Sequence, residues 1–384
     1  MRIGILTYHQ VVNDGSVVQA YCGIKALSNY FPNSSVEIID YKSKTLQNTE
    51  LKSLVKKTFP FINTGKWKKK RSMVRFSKKH LKFSPSSCVS DDLSEASSFI
   101  NQLGYNIIFV GSDTVWEARF SSFSPKPPNI FYLPNIDQAK KVSFAASADP
   151  VHPEFVKNTL IRHHIAPLLS DFDFITIRDK VTEKYIENLG IESERINFLP
   201  DPTLQCDFGE LVEIPEVVKE KPWAAIGYGD EEFRIRIKIQ LIELGFDIVD
   251  LKSFSLNGNP IPGALNSVNI RLGVFSKLDF IISDRFHSSI FTLKLAGKPA
   301  VFVEHSSKWP LKNSKGRDLF QRLGLDEMVW RLESSIISDT AVKDFLEKWS
   351  TISVNLQINL EELKEVSYKC IAKLKENIVT EKIL

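Results

Sequence analysis

Four times in this chain a short apolar run stops at Gly, Asp, Arg or His just where a helical pattern begins. The runs are RIGILTY (Arg2 to Tyr8), NIIFV (Asn106 to Val110), FITI (Phe174 to Ile177) and LDFIIS (Leu278 to Ser283). Their exits read NDGS, GSDTVW, RDK and DRFHSS. A buried strand that passes to a helix through such a turn is the building block of a parallel sheet, so the pattern restricts the chain to α/β folds. VEIIDY, KKVSFAA, INFLPD, WAAIGYG, FDIVDL and PAVFVE supply further strands. The helix from about Ser16 to Tyr30 carries Val17, Ala20, Tyr21, Ile24 and Leu27 as its apolar stripe. SLNGNPIPG reads as a loop, and residues 340–384 as helical.

At 384 residues the chain exceeds one ordinary core. Periodicity is lost from Cys206 to Pro222, which reads as a linker. The expected division is an N-terminal Rossmann-like domain, residues 1–208, with a basic helical insertion at about 50–90, and a C-terminal Rossmann-like domain, residues 209–384, with a helical tail. Open α/β sheets take ligands beyond the carboxyl ends of their strands, so an interdomain cleft is expected to collect the strand exits.

Each exit has a structural and a chemical reading. Asp113 either caps the turn after Gly111 or faces the cleft as a base. Asp179 is placed to cap DKVTEKYIENLG, whereas Arg178 beside it is either a snorkelling cation or an anion contact. Arg285 offers a planar fork to phosphate or carboxylate. His287, two residues on, carries an imidazole, a side chain that can donate a proton. Asn13 and Gly15 form a turn at a helix start that suits an anion, and His9 is a polar ligand contact or a loop residue. The set suits a phosphorylated or carboxylated substrate and acid–base chemistry.

The net charge is +4, unevenly spread. Between Glu50 and Asp91 there is no acidic residue and there are twelve Lys and Arg, which leaves −8 for the rest of the chain, +4 less twelve. Such a stretch is either a solvated helix face or a contact for anionic surfaces. Trp67 and Phe76 lie among the cations, yet no nucleic-acid-binding signature accompanies them, and no nucleic-acid partner is expected. No apolar run approaches the roughly 20 residues of a membrane span, and MRIGILTYHQ lacks the features of an export signal. Four scattered cysteines, without metal-ligand spacing, agree with a cytoplasmic protein and no metal site.

Taken in order, GILTYHQVVNDGSVVQAY, KKRSMVRFSKKHLKFS, GSDTVWE, VSFAAS, ITIRDK, LPDPTL and SDRFHSSIFTLKLAGKPAVF resemble the polysaccharide pyruvyl transferase family, over residues 3 to about 325. The chain departs from the usual family residues at Asp14-Gly15-Ser16 and at Thr114 and Glu117. The resemblance implies two Rossmann-type domains in a glycosyltransferase-B-like arrangement. It also implies transfer of the enolpyruvyl unit of phosphoenolpyruvate to sugar hydroxyls as a ketal, on a cell-surface polysaccharide or its precursor. By position, the implied functional residues are Asp113 and His287 in catalysis, and Arg178 and Arg285 on the donor. No cofactor is implied, and phosphoenolpyruvate is a substrate. The partners expected are that donor, a sugar acceptor in lipid-linked form, and an anionic inner membrane face contacted by the basic stretch. A nucleotide-sugar glycosyltransferase and a catalytically silent glycan-binding member are the alternatives.

Overall fold

The strand–turn–helix units at RIGILTY, FITI and LDFIIS form, whereas the strand NIIFV is followed among the described residues by a turn over Gly111–Trp116 and not by a helix. The computed structural model describes the chain apart from Gln10, 55–63, 117–126, 149–158, Gly229, 310–311, 334–336 and 380–384; Lys56, Lys57 and Glu117 therefore lie outside the described residues. Two compact units result, Met1–Cys206 with Leu363–Leu384, and Asp207–Glu362.

In the first unit, β1 (Arg2–Leu6) leads into helix α1 (Asp14–Tyr30), then β2 (Ser35–Lys42), helices α2 (Lys44–Leu54) and α3 (Thr64–His80), β3 (Phe83–Val89), β4 (Ile107–Val110) and β5 (Lys140–Ser143). These five strands form a parallel sheet in the order β3-β2-β1-β4-β5. β6 (Ile175–Ile177) and β7 (Ile196–Phe198) pair with each other, and bridges Val142–Phe174 and Ala146–Ile177 carry them on from β5. The 3-2-1-4-5-6 sequence that results is the doubly wound order, whose crossover point lies between β1 and β4.

β3 is a strand inside the stretch expected to be a basic helical insertion. Its sequence, FSPSSCV, has neither alternation nor an apolar run, and it stands at the sheet edge, where Pro85 and a polar face are tolerated. The helical part of that stretch packs through Ser72, Met73, Phe76 and Ser77, which are buried. Lys69 reaches Asp14 at 3.1 Å and Lys70 reaches Glu50 at 3.3 Å.

The second unit is built on β8 (Trp223–Gly227), β9 (Asp247–Asp250), β10 (Ser255–Leu256), β11 (Asn259–Pro260), β12 (Leu278–Ser283), β13 (Ala300–His305) and β14 (Val329–Leu332), in the order β11-β10-β9-β8-β12-β13-β14. The strands from β9 to β14 in that row are parallel, whereas β10 and β11 form an antiparallel hairpin at the edge. The hairpin replaces the loop expected at SLNGNPIPG; its turn is Asn257-Gly258, both at positive φ, the dipeptide that suits a two-residue hairpin. The supposed linker is also ordered: the Asn269 amide donates to the Leu211 carbonyl at 2.8 Å, and a Cβ on Gly273 would overlap the Glu213 carbonyl.

The tail was expected with the second half, but from Leu363 onward it groups with the first unit. Tyr368 packs edge-on against Tyr30 at 5.7 Å, Lys375 lies over Phe31 at 5.2 Å, and Lys373 donates to Asn197 at 2.7 Å. Helical periodicity shows which face of such a helix is apolar, but not which surface receives it.

Candidate active site

The exits of β1 and β4 meet over the start of α1. Gly111, at φ 129°, turns the chain where a Cβ would overlap the Phe144 carbonyl. This turn sets Asp113 beside α1, where Ser16 Oγ donates to Asp113 Oδ2 at 2.7 Å and the Thr114 amide donates to Oδ1 at 2.8 Å. Ser16 and Thr114, where the sequence differs from the resemblance noted above, thus both contact the carboxylate expected to act as base. Trp116 is fully buried and donates its indole N–H to the Phe131 carbonyl at 3.1 Å, a core role. Asn13 caps α1 by accepting the Gly15 amide at 3.0 Å, so this N–H, expected at an anion, is engaged within the turn.

Behind this turn lies a buried polar network. Gln19 Nε2 donates to the Ser112 carbonyl at 3.3 Å and to Asp201 Oδ2 at 2.5 Å. The same Asp201 oxygen accepts from Arg178 Nη1 at 2.5 Å, and Arg178 Nε stands 3.9 Å from Asp179 Oδ2. Asp201 Oδ1 caps the short helix Pro202–Gln205 through the Thr203 amide and hydroxyl. Asp179 caps the helix Lys180–Asn188, as expected, and its second oxygen accepts from Ser147 Oγ at 2.7 Å. The Arg178 side chain is only 3% exposed. The structure therefore uses this guanidinium to neutralise two buried carboxylates, and it does not snorkel to the surface. Gln19 was missed by the sequence reading. Its signal was a polar residue between Val18 and Ala20 in an otherwise apolar helix segment.

His9 leaves β1 into a pocket of about 110 Å³, walled by Tyr8, Tyr41, Phe131, Lys42 and, from α3, Lys70 and Val74. It is buried, with Nδ1 3.1 Å from the Thr7 carbonyl and Nε2 3.1 Å from Asp40 Oδ1. Burial alone would raise the Asp40 carboxyl, but the hydrogen bond and charge of His9, with Lys42 at 3.2 Å, hold it below the usual carboxylate range. His9 thus lines the pocket edge while both ring nitrogens serve the protein.

In the second unit, β12 ends at fully buried Ser283, whose Oγ accepts the Arg285 amide at 3.0 Å. Arg285 is the N-cap residue of the helix Phe286–Phe291, which ends beyond a further wide turn at Gly297, φ 61°. Its side chain is 77% exposed, with Nε 3.4 Å from Asp284 Oδ1. Burial raises the Asp284 carboxyl, partly offset by the charges of Arg285 and Lys308. His287 is half-buried on the first turn of the same helix, its ring centroid 5.3 Å from that of Phe286 and 6.2 Å from that of Phe291. The β12 exit accordingly brings a solvent-facing cation and an imidazole onto one turn. Among the described residues, no three His, Cys, Asp or Glu side chains form a metal-ligating group, and no helix is long and apolar enough to cross a membrane.

Solved structures share this architecture. The spinosyn forosaminyltransferase SpnP matches with a TM-score of 0.53 at 11% identity, over 99% of each chain. The glycotransferase of kitacinnamycin matches with a TM-score of 0.51 at 9% identity, over 99% of this chain and 98% of that one. At such identities the likeness shows the fold, that of the two-domain α/β glycosyltransferases of the B type. No curated protein of established function matches the sequence. The model of the polysaccharide pyruvyl transferase family matches residues 13–307, and the chain belongs to that family.

Proposed function

We propose that the protein transfers the pyruvyl unit of phosphoenolpyruvate to two hydroxyls of a sugar, as a ketal on a cell-surface polysaccharide or its precursor. The observation that carries this reading is the β12 exit, where exposed Arg285 and half-buried His287 occupy one helical turn within the family match. Phosphoenolpyruvate presents a phosphate and a carboxylate, and a guanidinium fork suits either. Arg285 is assigned the direct contact. Arg178, whose charge is taken up by Asp201 and Asp179, is assigned the positioning of those two carboxylates at the exit of β6.

His287 gives a proton to C3 of the donor as the enol electron pair moves to that carbon, leaving an oxocarbenium-like C2. A sugar hydroxyl adds to C2 and passes its proton to Asp113, whose carboxylate Ser16 and the Thr114 amide orient. Phosphate departs with the electrons of its C–O bond, and a second hydroxyl closes the ketal. The two hydroxyl protons replace the one given to C3 and the one leaving with phosphate. General acid catalysis of this kind contributes about 10²–10⁴ in rate. No cofactor takes part in these steps.

The test is a phosphate-release screen of pure protein with phosphoenolpyruvate and lipid-linked or nucleotide-linked sugars. Phosphate released only when a sugar is present supports the reading. Nucleoside diphosphate released from a nucleotide sugar without phosphoenolpyruvate would overturn it in favour of glycosyl transfer.

A further inference from the structure

We propose that α3 docks the protein on an anionic lipid bilayer. The basic stretch is held as a helix whose inner face is fixed in the first unit by Ser72, Met73, Phe76 and Ser77. At about 100° per residue, Trp67, Lys68, Arg71, Arg75, Lys78 and Lys79 fall within about 120° of arc on the opposite side. All six are exposed, and no acidic residue stands anywhere in α3. Lys69 and Lys70, which point out of this arc, pair with Asp14 and Glu50. The helix thus carries Lys68, Arg71, Arg75, Lys78 and Lys79 on its exposed outer face.

The uncovered indole favours a bilayer over other polyanions. Trp67 is 42% exposed between Lys66 and Lys68, and Leu51 on neighbouring α2 is 47% exposed beside Lys52. A ring with an apolar body and a polar N–H, flanked by Lys and Arg, matches the headgroup layer, where aromatic residues concentrate. Each Lys or Arg near an anionic surface strengthens attachment about fivefold. The same helix lends Lys70 and Val74 to the pocket at the exits of β1 and β2, so attachment through α3 would hold that pocket near the headgroups. The proposal is independent of which sugar is modified and of whether the chain is a catalyst.

Vesicle sedimentation of the whole chain tests it directly. With phosphatidylcholine–phosphatidylglycerol vesicles at low salt the protein should pellet. It should stay in solution with phosphatidylcholine alone, and binding should fall steeply with added salt. Lys68→Gln, Arg71→Gln and Lys78→Gln together should weaken binding about 100-fold. Trp67→Ser should weaken it at every salt concentration. All four positions are exposed, so circular dichroism should report an unchanged fold. Equal pelleting with neutral vesicles, or indifference to salt or to the triple substitution, would overturn the proposal. Retention on duplex DNA without retention on vesicles would overturn it as well, assigning the cations to nucleic acid.

Discussion

Arg178 and Arg285 share a residue type and a place at a strand exit, yet their surroundings assign them opposite parts. Arg178 lies buried against Asp201, so Arg178→Met would leave a carboxylate in the interior without its counter-charge. A loss of about 3–5 kcal/mol is expected, read from denaturant unfolding. An unchanged unfolding midpoint would contradict a structural load on that pair. Arg285 is mostly exposed, and its pair with Asp284 contributes little to stability. Arg285→Lys should therefore unfold like the wild type while raising the KM for phosphoenolpyruvate, because lysine keeps the charge and loses the fork. An unchanged donor KM would remove Arg285 from the donor site. His287→Ala should lower turnover by about 10²–10⁴ with the fold intact. Near-wild-type turnover would take the proton from some other group. Ser16 is a positioning residue. Ser16→Ala removes the hydroxyl that orients Asp113, and the change should appear in kcat more than in donor KM; equal kcat would show that Asp113 needs no such support.

At the scale of elements, what was legible followed from local chemistry. The strands ending at Val110, Ile177 and Ser283 are apolar runs with polar stops, and the cap at Asp179 is a side chain that serves its own helix. What was not legible depended on distant partners. β3 is a strand because it pairs with β2, not because FSPSSCV favours one. Arg178 could be read as exposed or buried until Asp201, 23 residues away, was seen beside it. The Cys206–Pro222 segment reads as a linker in composition, but Gly273 lets its backbone lie against the helix Val268–Ser276. Gly273→Ala should force these two segments apart and cost about 1–3 kcal/mol, measured by thermal unfolding. An unaltered melting profile would mean that the segment yields freely, as a true linker would.

For the whole molecule, each unit carries its own buried charges, and these set its response to acid. In the second unit, Glu304 is fully buried. Its carboxylate accepts from Arg317 Nε and Nη2 at 2.8–3.1 Å, from Arg331 Nη1 at 3.0 Å and from the Ser314 amide at 3.1 Å. Burial would raise its pKa, but the hydrogen bonds from Arg317 and Ser314 and the Arg317 charge outweigh this and lower it. The folded value is below the ordinary one of about 4.3, so the stabilisation is fully present above that range and is lost as pH falls through it toward the folded value. Unfolding followed against pH should show this loss, and Glu304→Gln should flatten it. An equal acid response in that variant would place the sensitivity elsewhere.

The central claim is that an imidazole delivers a solvent-exchangeable proton to C3 of phosphoenolpyruvate while sugar hydroxyls take C2. Mass and NMR analysis of the sugar product formed in heavy water tests it most directly. The account predicts a sugar heavier by pyruvic acid less water, with one solvent deuterium in the ketal methyl group and one phosphate released per ketal. A product carrying pyruvyl without solvent deuterium at the methyl group, or a sugar extended by glycosyl transfer with phosphoenolpyruvate unconsumed, would contradict it.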